Sequence, residues 1–394
     1  METRRRSDHE LLSQTAFSFL TAGRIEFGRG VSDQTVQITL CFGRRILLVR
    51  GRSVARVDAL RDELRALGAD VAEIFSSGEP TVQALDAGLT AGCELRADAV
   101  LAVGGGAVID LGKAIAALLP GDGAVMDHLE GVGGARPLIA DPLPMIAVPT
   151  TSGTGAEVTK NAVITVPEAG RKVSLRDPRM LPDVALVDPA LTDHTPRAQT
   201  LASGLDALTQ VIEPYVSSRA NPLTDALCRA AIPKGARALA RLAAAECPHA
   251  RDDMAFVSLA GGLALANAGL GAVHGLAGVL GGRLGAPHGL ICGRLLGPVM
   301  VANAASLRAA GGASKRFQNV AEWVGQGFDL APDSVFDQMP ELLDRWQVQR
   351  LSQWLSAETD LTQIAEEAAG ASSMKANPCV LPVSELVEIM RQAI

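Results

Sequence analysis

The sequence predicts an α/β fold: a doubly wound, Rossmann-like parallel sheet first, then an all-α C-terminal half. Three observations carry this prediction. Between residues 45 and 149, short β-rich apolar runs alternate with segments of helical apolar period, as expected for strands buried on both faces and joined by crossover helices. Two of those runs end in loops built for close backbone approach, Gly104-Gly105-Gly106 and Thr150-Thr151-Ser152-Gly153-Thr154-Gly155. Beyond residue 195 the β signals stop, so the division falls between an α/β domain, 1–195, and a helical one, 196–394.

The elements follow in order. Residues 17–32 read as a short strand, a turn and a helix start. Arg45–Val49 (RILLV) is the first buried strand, and residues 52–67 place Val54, Val57, Leu60, Leu64 and Leu67 at helical spacing. Asp70–Phe75 is the next strand and 81–94 the next helix. Ala97–Val103 is a strand that runs into the glycine triplet, and Ala107–Leu119 is a helix. Pro144–Pro149 is a fourth strand, Lys172 opens another (KVSL), and Leu181–Pro189 is strand-like. The helical half begins with GLDALTQVIEPYVS (204–217), followed by helices at 221–246 and roughly 252–268. Gly271–Pro298 then carries two histidines, and amphipathic helices fill 315–394, with Asn377-Pro378 before the last.

Composition excludes several classes. A net charge of -7 argues against nucleic-acid binding through bulk charge. The basic opening METRRRSDHE lacks an apolar signal core, and no run of about 18 uncharged apolar residues predicts a membrane span. Six well-separated cysteines, none in a CxxC pair, read as free thiols in a reducing, cytoplasmic setting.

A strand that ends in glycines and opens a helix presents free N–H groups and a positive dipole end, the geometry that holds a phosphate. Two such loops at strand ends of one sheet favour a nucleotide cofactor, although the triplet is not GxGxxG. Asp110 and Lys113 lie one and two turns into the following helix, either beside that cofactor or as a solvated i, i+3 pair. Lys172 is placed to reach a phosphate or ribose, or is an ordinary solvated lysine. In the helical half Asp206 and Gln210 are four apart and so share a face. Asp206 sits among apolar residues, where a carboxylate needs a partner; Glu213, one turn on, is an equal candidate for the inward acid. His274 and His288, each followed by glycine, stand fourteen residues apart in an apolar stretch. One carboxylate and two imidazoles suit a divalent transition metal that could polarise an alcohol or carbonyl oxygen.

The pieces GGGAVIDLGKA (104–114), PTTSGTGAEVT (149–159), LPDVALVDPALT (181–192), GLDALTQVIEPYVS (204–217), VHGLAGVLGGRLGAPHGL (273–290) and NPCVL (377–381) together resemble the iron-containing (group III) alcohol dehydrogenases, within the glycerol dehydrogenase and dehydroquinate synthase superfamily. The resemblance implies a dinucleotide-binding first domain, a metal- and substrate-binding second, and hydride transfer between NAD or NADP and an alcohol or aldehyde. It implies pyrophosphate contacts at Gly104, Gly105, Gly106 and Asp110 and further cofactor contacts at Thr150, Thr151 and Thr154. It implies Fe2+ or Zn2+ at Asp206, His274 and His288. The family's fourth ligand is a histidine where this chain has Gln210, and a substrate-side histidine is replaced by Gly278. Gln210 is therefore a candidate ligand through its carbonyl oxygen or a substrate contact. NAD-preferring members place an acid after the first strand; here Gly51 stands there, flanked by Arg50 and Arg52. Removing the repulsion and adding positive charge should let NADP be used at least as well as NAD. The resemblance implies a homodimer or larger assembly. Rival expectations are a metal-independent enzyme of the maleylacetate reductase type, a lyase of the dehydroquinate synthase type, and a non-catalytic nucleotide-binding relative.

Overall fold

The computed structural model describes residues 16–51, 56–76, 78–312, 315–356 and 358–394. The opening METRRRSDHE, Arg52 and Val54 lie outside them. The strands are β1 (Arg24–Phe27), β2 (Arg45–Gly51), β3 (Asp70–Ser76), β4 (Ala99–Gly104), β5 (Met145–Pro149), β6 (Asn161–Val166), β7 (Arg171–Arg176) and β8 (Val184–Val187). Interleaved with them are α1 (Thr35–Leu40), α2 (Arg56–Ala66), α3 (Val82–Leu95), α4 (Gly106–Leu118) and α5 (Val125–His128).

Six strands form one parallel sheet in the order β1-β8-β5-β4-β2-β3. Strand β2 shows why the order is stable. Its Ile46 and Leu48 are buried in the core shared with α1 and α2, while Leu47 and Val49 are buried under α3 and α4. A period-2 backbone with apolar residues on both faces needs helices on both sides. The order reverses between β2 and β4, which opens a crevice at the carboxyl ends of those strands. Gly51 and Gly104 end the two strands at that point.

Strands β6 and β7 form a separate antiparallel hairpin lying over α4 and reaching α9. KVSL anticipates only its second strand, although the alternating burial of NAVITV is the ordinary pattern of a half-covered strand.

After β8 the chain is helical: α6 (Arg197–Val216), α7 (Pro222–Ala244), α8 (Pro248–Ala268), α9 (Ala272–Leu284), α10 (His288–Ala309), α11 (Lys315–Phe328), α12 (Val335–Arg345), α13 (Leu361–Ala369) and α14 (Val383–Ala393). Helix α6 packs against α7, α8 and α10 in one large apolar core. Helix α10 is long and apolar enough to span a membrane, but most of it is buried in that core, as a central bundle helix should be. The parallel α/β half followed by a helical half is the architecture the sequence predicts.

Candidate active site

The sheet side is made of backbone. Gly105 is the extended N-cap of α4 and Gly106 its first residue, so the free N–H groups of that helix open into the crevice. A Cβ on Gly106 would stand 2.5 Å from Thr154 Oγ1, and one on Gly105 would touch Thr151 at 3.4 Å. The Thr150 N–H donates to the Gly104 carbonyl at 2.9 Å. The two loops singled out from the sequence therefore pack on each other, and at Gly106 only glycine leaves the space between them.

Other residues on this side have mixed fates. The Asp110 carboxylate is only partly exposed: it pairs with Lys113 Nζ at 2.9 Å and accepts the Val163 N–H at 3.0 Å. Lys113 is buried and also donates to Thr159 Oγ1 at 2.7 Å. The pair thus ties α4 to the hairpin, which corrects the picture of a solvated i, i+3 pair; the hairpin covers that helix face. Lys172 pairs with Glu79 at 3.0 Å and lies against Gly281 on α9, so it sits between the hairpin and the helical half. Arg50 differs from expectation more sharply. Its side chain is buried, and its guanidinium pairs with Asp58 at 2.5 Å and Glu73 at 3.1 Å. Its charge is already balanced, which corrects the expectation of a free positive charge beside Gly51.

The helical side is made of side chains. Asp206, Gln210 and Glu213 lie at i, i+4 and i+7 along α6, and all three are buried. Helix α8 ends at Gly269, and α9 departs at 102° to it. Two first-turn N–H groups of α9 are capped from elsewhere: Asn377 Oδ1 accepts from Ala272 at 3.0 Å, and Glu213 Oε1 accepts from Val273 at 2.7 Å. The other carboxylate oxygen of Glu213 takes His274 Nδ1 at 2.5 Å. Both candidate acids therefore point inward, with different tasks. Glu213 fixes the His274 ring and presents Nε2 to Asp206.

Helix α9 closes at Gly285, which has φ 67°, and α10 begins at once with His288. A Cβ on Gly289 would run into the Ala202 carbonyl of α6 and come within 3.0 Å of Asp206 Cβ. The glycine after His288 therefore lets α10 touch α6 and seats that histidine beside Asp206. The rings of His274 and His288 lie 5.5 Å apart. Asp206 Oδ1 is 3.3 Å from His274 Nε2 and 3.8 Å from His288 Nε2. One turn along α10, Cys292 Sγ approaches His288 Nε2 at 3.6 Å. Ligand atoms of Asp206, His274, His288 and Cys292 all fall within 4.8 Å of one another. Sequence reasoning treated Cys292 only as a free thiol; the i, i+4 spacing HGLIC was the signal that could have found it.

Asp206 Oδ1 and His274 Nε2 are buried and make no hydrogen bond among the described residues, although 3.3 Å apart, because they are not aligned for one. Leaving two such atoms dry is costly. The electrostatics point the same way. Burial opposes charge on Asp206, but His274 and His288 outweigh it and hold the carboxyl below its usual range. Burial likewise opposes charge on His288, but Cys292 and Asp206 outweigh it and lift the imidazole to about 9. The cluster favours a positive charge at its centre. An O, N, N, S donor set with orphaned atoms aimed inward fits a divalent transition metal.

Gln210 links the two sides. Its Nε2 donates to the Thr154 carbonyl at 2.6 Å, so the residue one turn from Asp206 holds the second cofactor loop. Gly278, on the exposed side of α9, has open space where a Cβ would be.

Known proteins share this fold. The family model described as "iron-containing alcohol dehydrogenase" matches residues 22–189, and the "Fe-containing alcohol dehydrogenase family, C-terminal" model matches 200–394. The 1,3-propanediol dehydrogenase of Klebsiella pneumoniae is 32% identical over 97% of this chain and 100% of its own length. Long-chain-alcohol dehydrogenase 1 of Geobacillus thermodenitrificans is 38% identical over 66% of this chain and 67% of its own. A crystal structure of a 1,3-propanediol oxidoreductase superposes with a TM-score of 0.86 at 32% identity, covering 96% of this chain and 100% of that one.

Proposed function

This chain belongs to the iron-containing alcohol dehydrogenase family, and on that premise we propose that it works with a divalent metal held by Asp206, His274 and His288. It is an enzyme that interconverts an alcohol and an aldehyde or ketone. The observation that carries the metal assignment is the pair of orphaned buried atoms, Asp206 Oδ1 and His274 Nε2, facing one point beside His288.

When bound, the metal would act as a Lewis acid on the substrate oxygen, and the nicotinamide cofactor would accept or donate the hydride. The chain's own residues do the positioning. Gly104, Gly105 and Gly106 give the pyrophosphate access to the α4 N–H groups, and Thr150, Thr151 and Thr154 flank them. Asp110 supports that helix from behind through Lys113 and Val163. Lys172, between hairpin and α9, would approach the cofactor from the side of the helical half. Gln210 fixes Thr154 and so helps set the spacing between the cofactor loop and the metal ligands. His288 keeps 32% of its side chain exposed, and Gly278 leaves open space nearby on α9, so substrate enters from that side. The apolar stretch around the histidines favours a small aliphatic substrate.

Gly51 stands at the end of β2 beside the crevice and carries no carboxylate to repel a 2′-phosphate. NADP(H) is therefore used at least as well as NAD(H). The thiols, all free among the described residues, support a cytoplasmic location, and β1, an edge strand among the described residues, offers a place for homo-oligomer pairing. The lyase and non-catalytic readings have no support in relatives that are named alcohol dehydrogenases.

The test is chelation followed by reconstitution, with NADPH and NADH assayed over a panel of small aldehydes. Activity should vanish with the metal and return with Fe2+ or Zn2+. Full turnover in metal-free protein would reject the metal assignment and move the enzyme to the maleylacetate reductase type. A many-fold advantage of NADH in kcat/KM would reject the cofactor preference.

A further inference from the structure

We infer that Cys292 is itself a ligand of the metal, so that the site in this chain is built from Asp206, His274, His288 and Cys292. The inference rests on the metal-assisted reading above and goes beyond its three ligands.

The distances carry it. Zinc bonds of about 2.0–2.1 Å to oxygen and nitrogen and about 2.3 Å to sulfur set neighbouring corners of a tetrahedron about 3.3 Å apart for an O/N pair and about 3.6 Å for an N/S pair. Asp206 Oδ1 and His274 Nε2 are separated by 3.3 Å, and His288 Nε2 and Cys292 Sγ by 3.6 Å. A third separation, His288 Nε2 to Asp206 Oδ1, is slightly longer at 3.8 Å. All four ligand atoms lie within 4.8 Å of one another, so small side-chain adjustments bring the four groups onto one ion.

The fold explains why the thiol is there. His288 and Cys292 are one turn apart on α10 and so project from one face, towards Asp206 on α6. Cys292 is fully buried. Charge supports the same assignment. A divalent ion held by one carboxylate and neutral groups would leave a net positive charge in a buried site, which is costly. A thiolate beside the Asp206 carboxylate brings the first shell to neutrality. Gln210 is a neutral amide whose nitrogen is engaged with the Thr154 carbonyl, so it supplies no charge. The carboxylate behind the site, Glu213, is already shared between the Val273 N–H and His274. On binding, the Cys292 S–H bond breaks, a sulfur–metal bond forms and the proton leaves to solvent. Thiolate softness suits zinc, and zinc sites admit a fifth ligand, so four protein ligands leave a place for substrate oxygen.

The test uses full-length protein stripped of metal and reloaded with Co2+. Wild type should bind one Co2+ per chain and show the strong near-ultraviolet absorption of thiolate-to-cobalt charge transfer. Cys292→Ser should lose that absorption and bind Zn2+ at least ~100-fold more weakly, beyond the 10–100-fold typical of a lost outer-shell partner. Gln210→Ala should keep the absorption. Cobalt bound at one per chain without charge transfer, or Zn2+ affinity unchanged in Cys292→Ser, would overturn the thiolate ligand while leaving the three-ligand metal site standing. No metal bound by wild type at all would overturn both. If Cys292→Ser does not fold, the wild-type spectrum alone decides.

Discussion

The two sides of the cleft are built on opposite principles. The sheet side offers absence: three glycines with no side chains, at a switch in strand order, so that backbone N–H groups are reachable. The helical side offers presence: Asp206, His274, His288 and Cys292 brought within 4.8 Å from three helices. A backbone site fails when something is added, and a side-chain site fails when something is removed. A single substitution should therefore damage one side and spare the other.

The largest effect is expected from His274→Ala. Removing one imidazole should strip the metal and lower kcat/KM by at least ~10³-fold, the scale of several kcal/mol of lost Lewis-acid stabilisation. Cofactor Kd, measured by fluorescence titration, should stay within a few-fold of wild type. Gly106→Ala should do the reverse. Its new Cβ would stand 2.5 Å from Thr154 Oγ1 and must push the loops apart. Cofactor Kd should rise by roughly 10–100-fold, as for a small misplacement of a positioned group, while metal content by elemental analysis stays at the wild-type level. Loss of metal in Gly106→Ala would show that the two sides are not separable. Next in size is Glu213→Gln. An amide cannot accept from both the Val273 N–H and His274 Nδ1, so the imidazole loses its orientation. Metal affinity should fall about 10–100-fold, as read by competition with a chelating dye. Unchanged affinity would mean that Glu213 only caps α9.

The same contrast explains what could be read in the sequence. Alternating apolar runs and glycine-rich strand ends are local patterns, so the parallel sheet and the loops at its strand ends were visible in the chain itself. Asp206, His274 and His288 were visible because polar residues in apolar surroundings need partners. Cys292 was not, because a cysteine is at home in a core and gives no sign of cost. Arg50 was misread for a related reason. Its charge looked available next to Gly51, but its partners Asp58 and Glu73 come from a neighbouring helix and strand, and only packing brings them together. Glu213 and Asp206 could not be ranked by spacing because both face inward; which one meets the metal ligands depends on where α9 starts, and that is set by Gly269 and by Asn377 from the far end of the chain.

The smallest effect tests whether the sheet side is separable within itself. At the amino ends of β2 and β4, opposite the glycine loops, Asp98 accepts the Arg44 N–H at 3.0 Å, the Arg45 N–H at 2.9 Å and Arg45 Nε at 3.0 Å. The Arg45 side chain, and then its backbone N–H, hold the Asp98 carboxyl well below its usual range. A depressed folded-state value means stabilisation that is present above the unfolded value of about 3.9 and is lost as pH falls through the folded value. Asp98→Ala should therefore cost about 1–2 kcal/mol in urea unfolding at neutral pH, mostly through the backbone N–H groups left without an acceptor. The gap from wild type should narrow in acid. Activity and cofactor Kd at neutral pH should not move, since nothing at this end touches the crevice. A shift in cofactor Kd would show that strain at one end of β4 reaches Gly104 at the other, and the glycine loops would then depend on the whole strand for their shape.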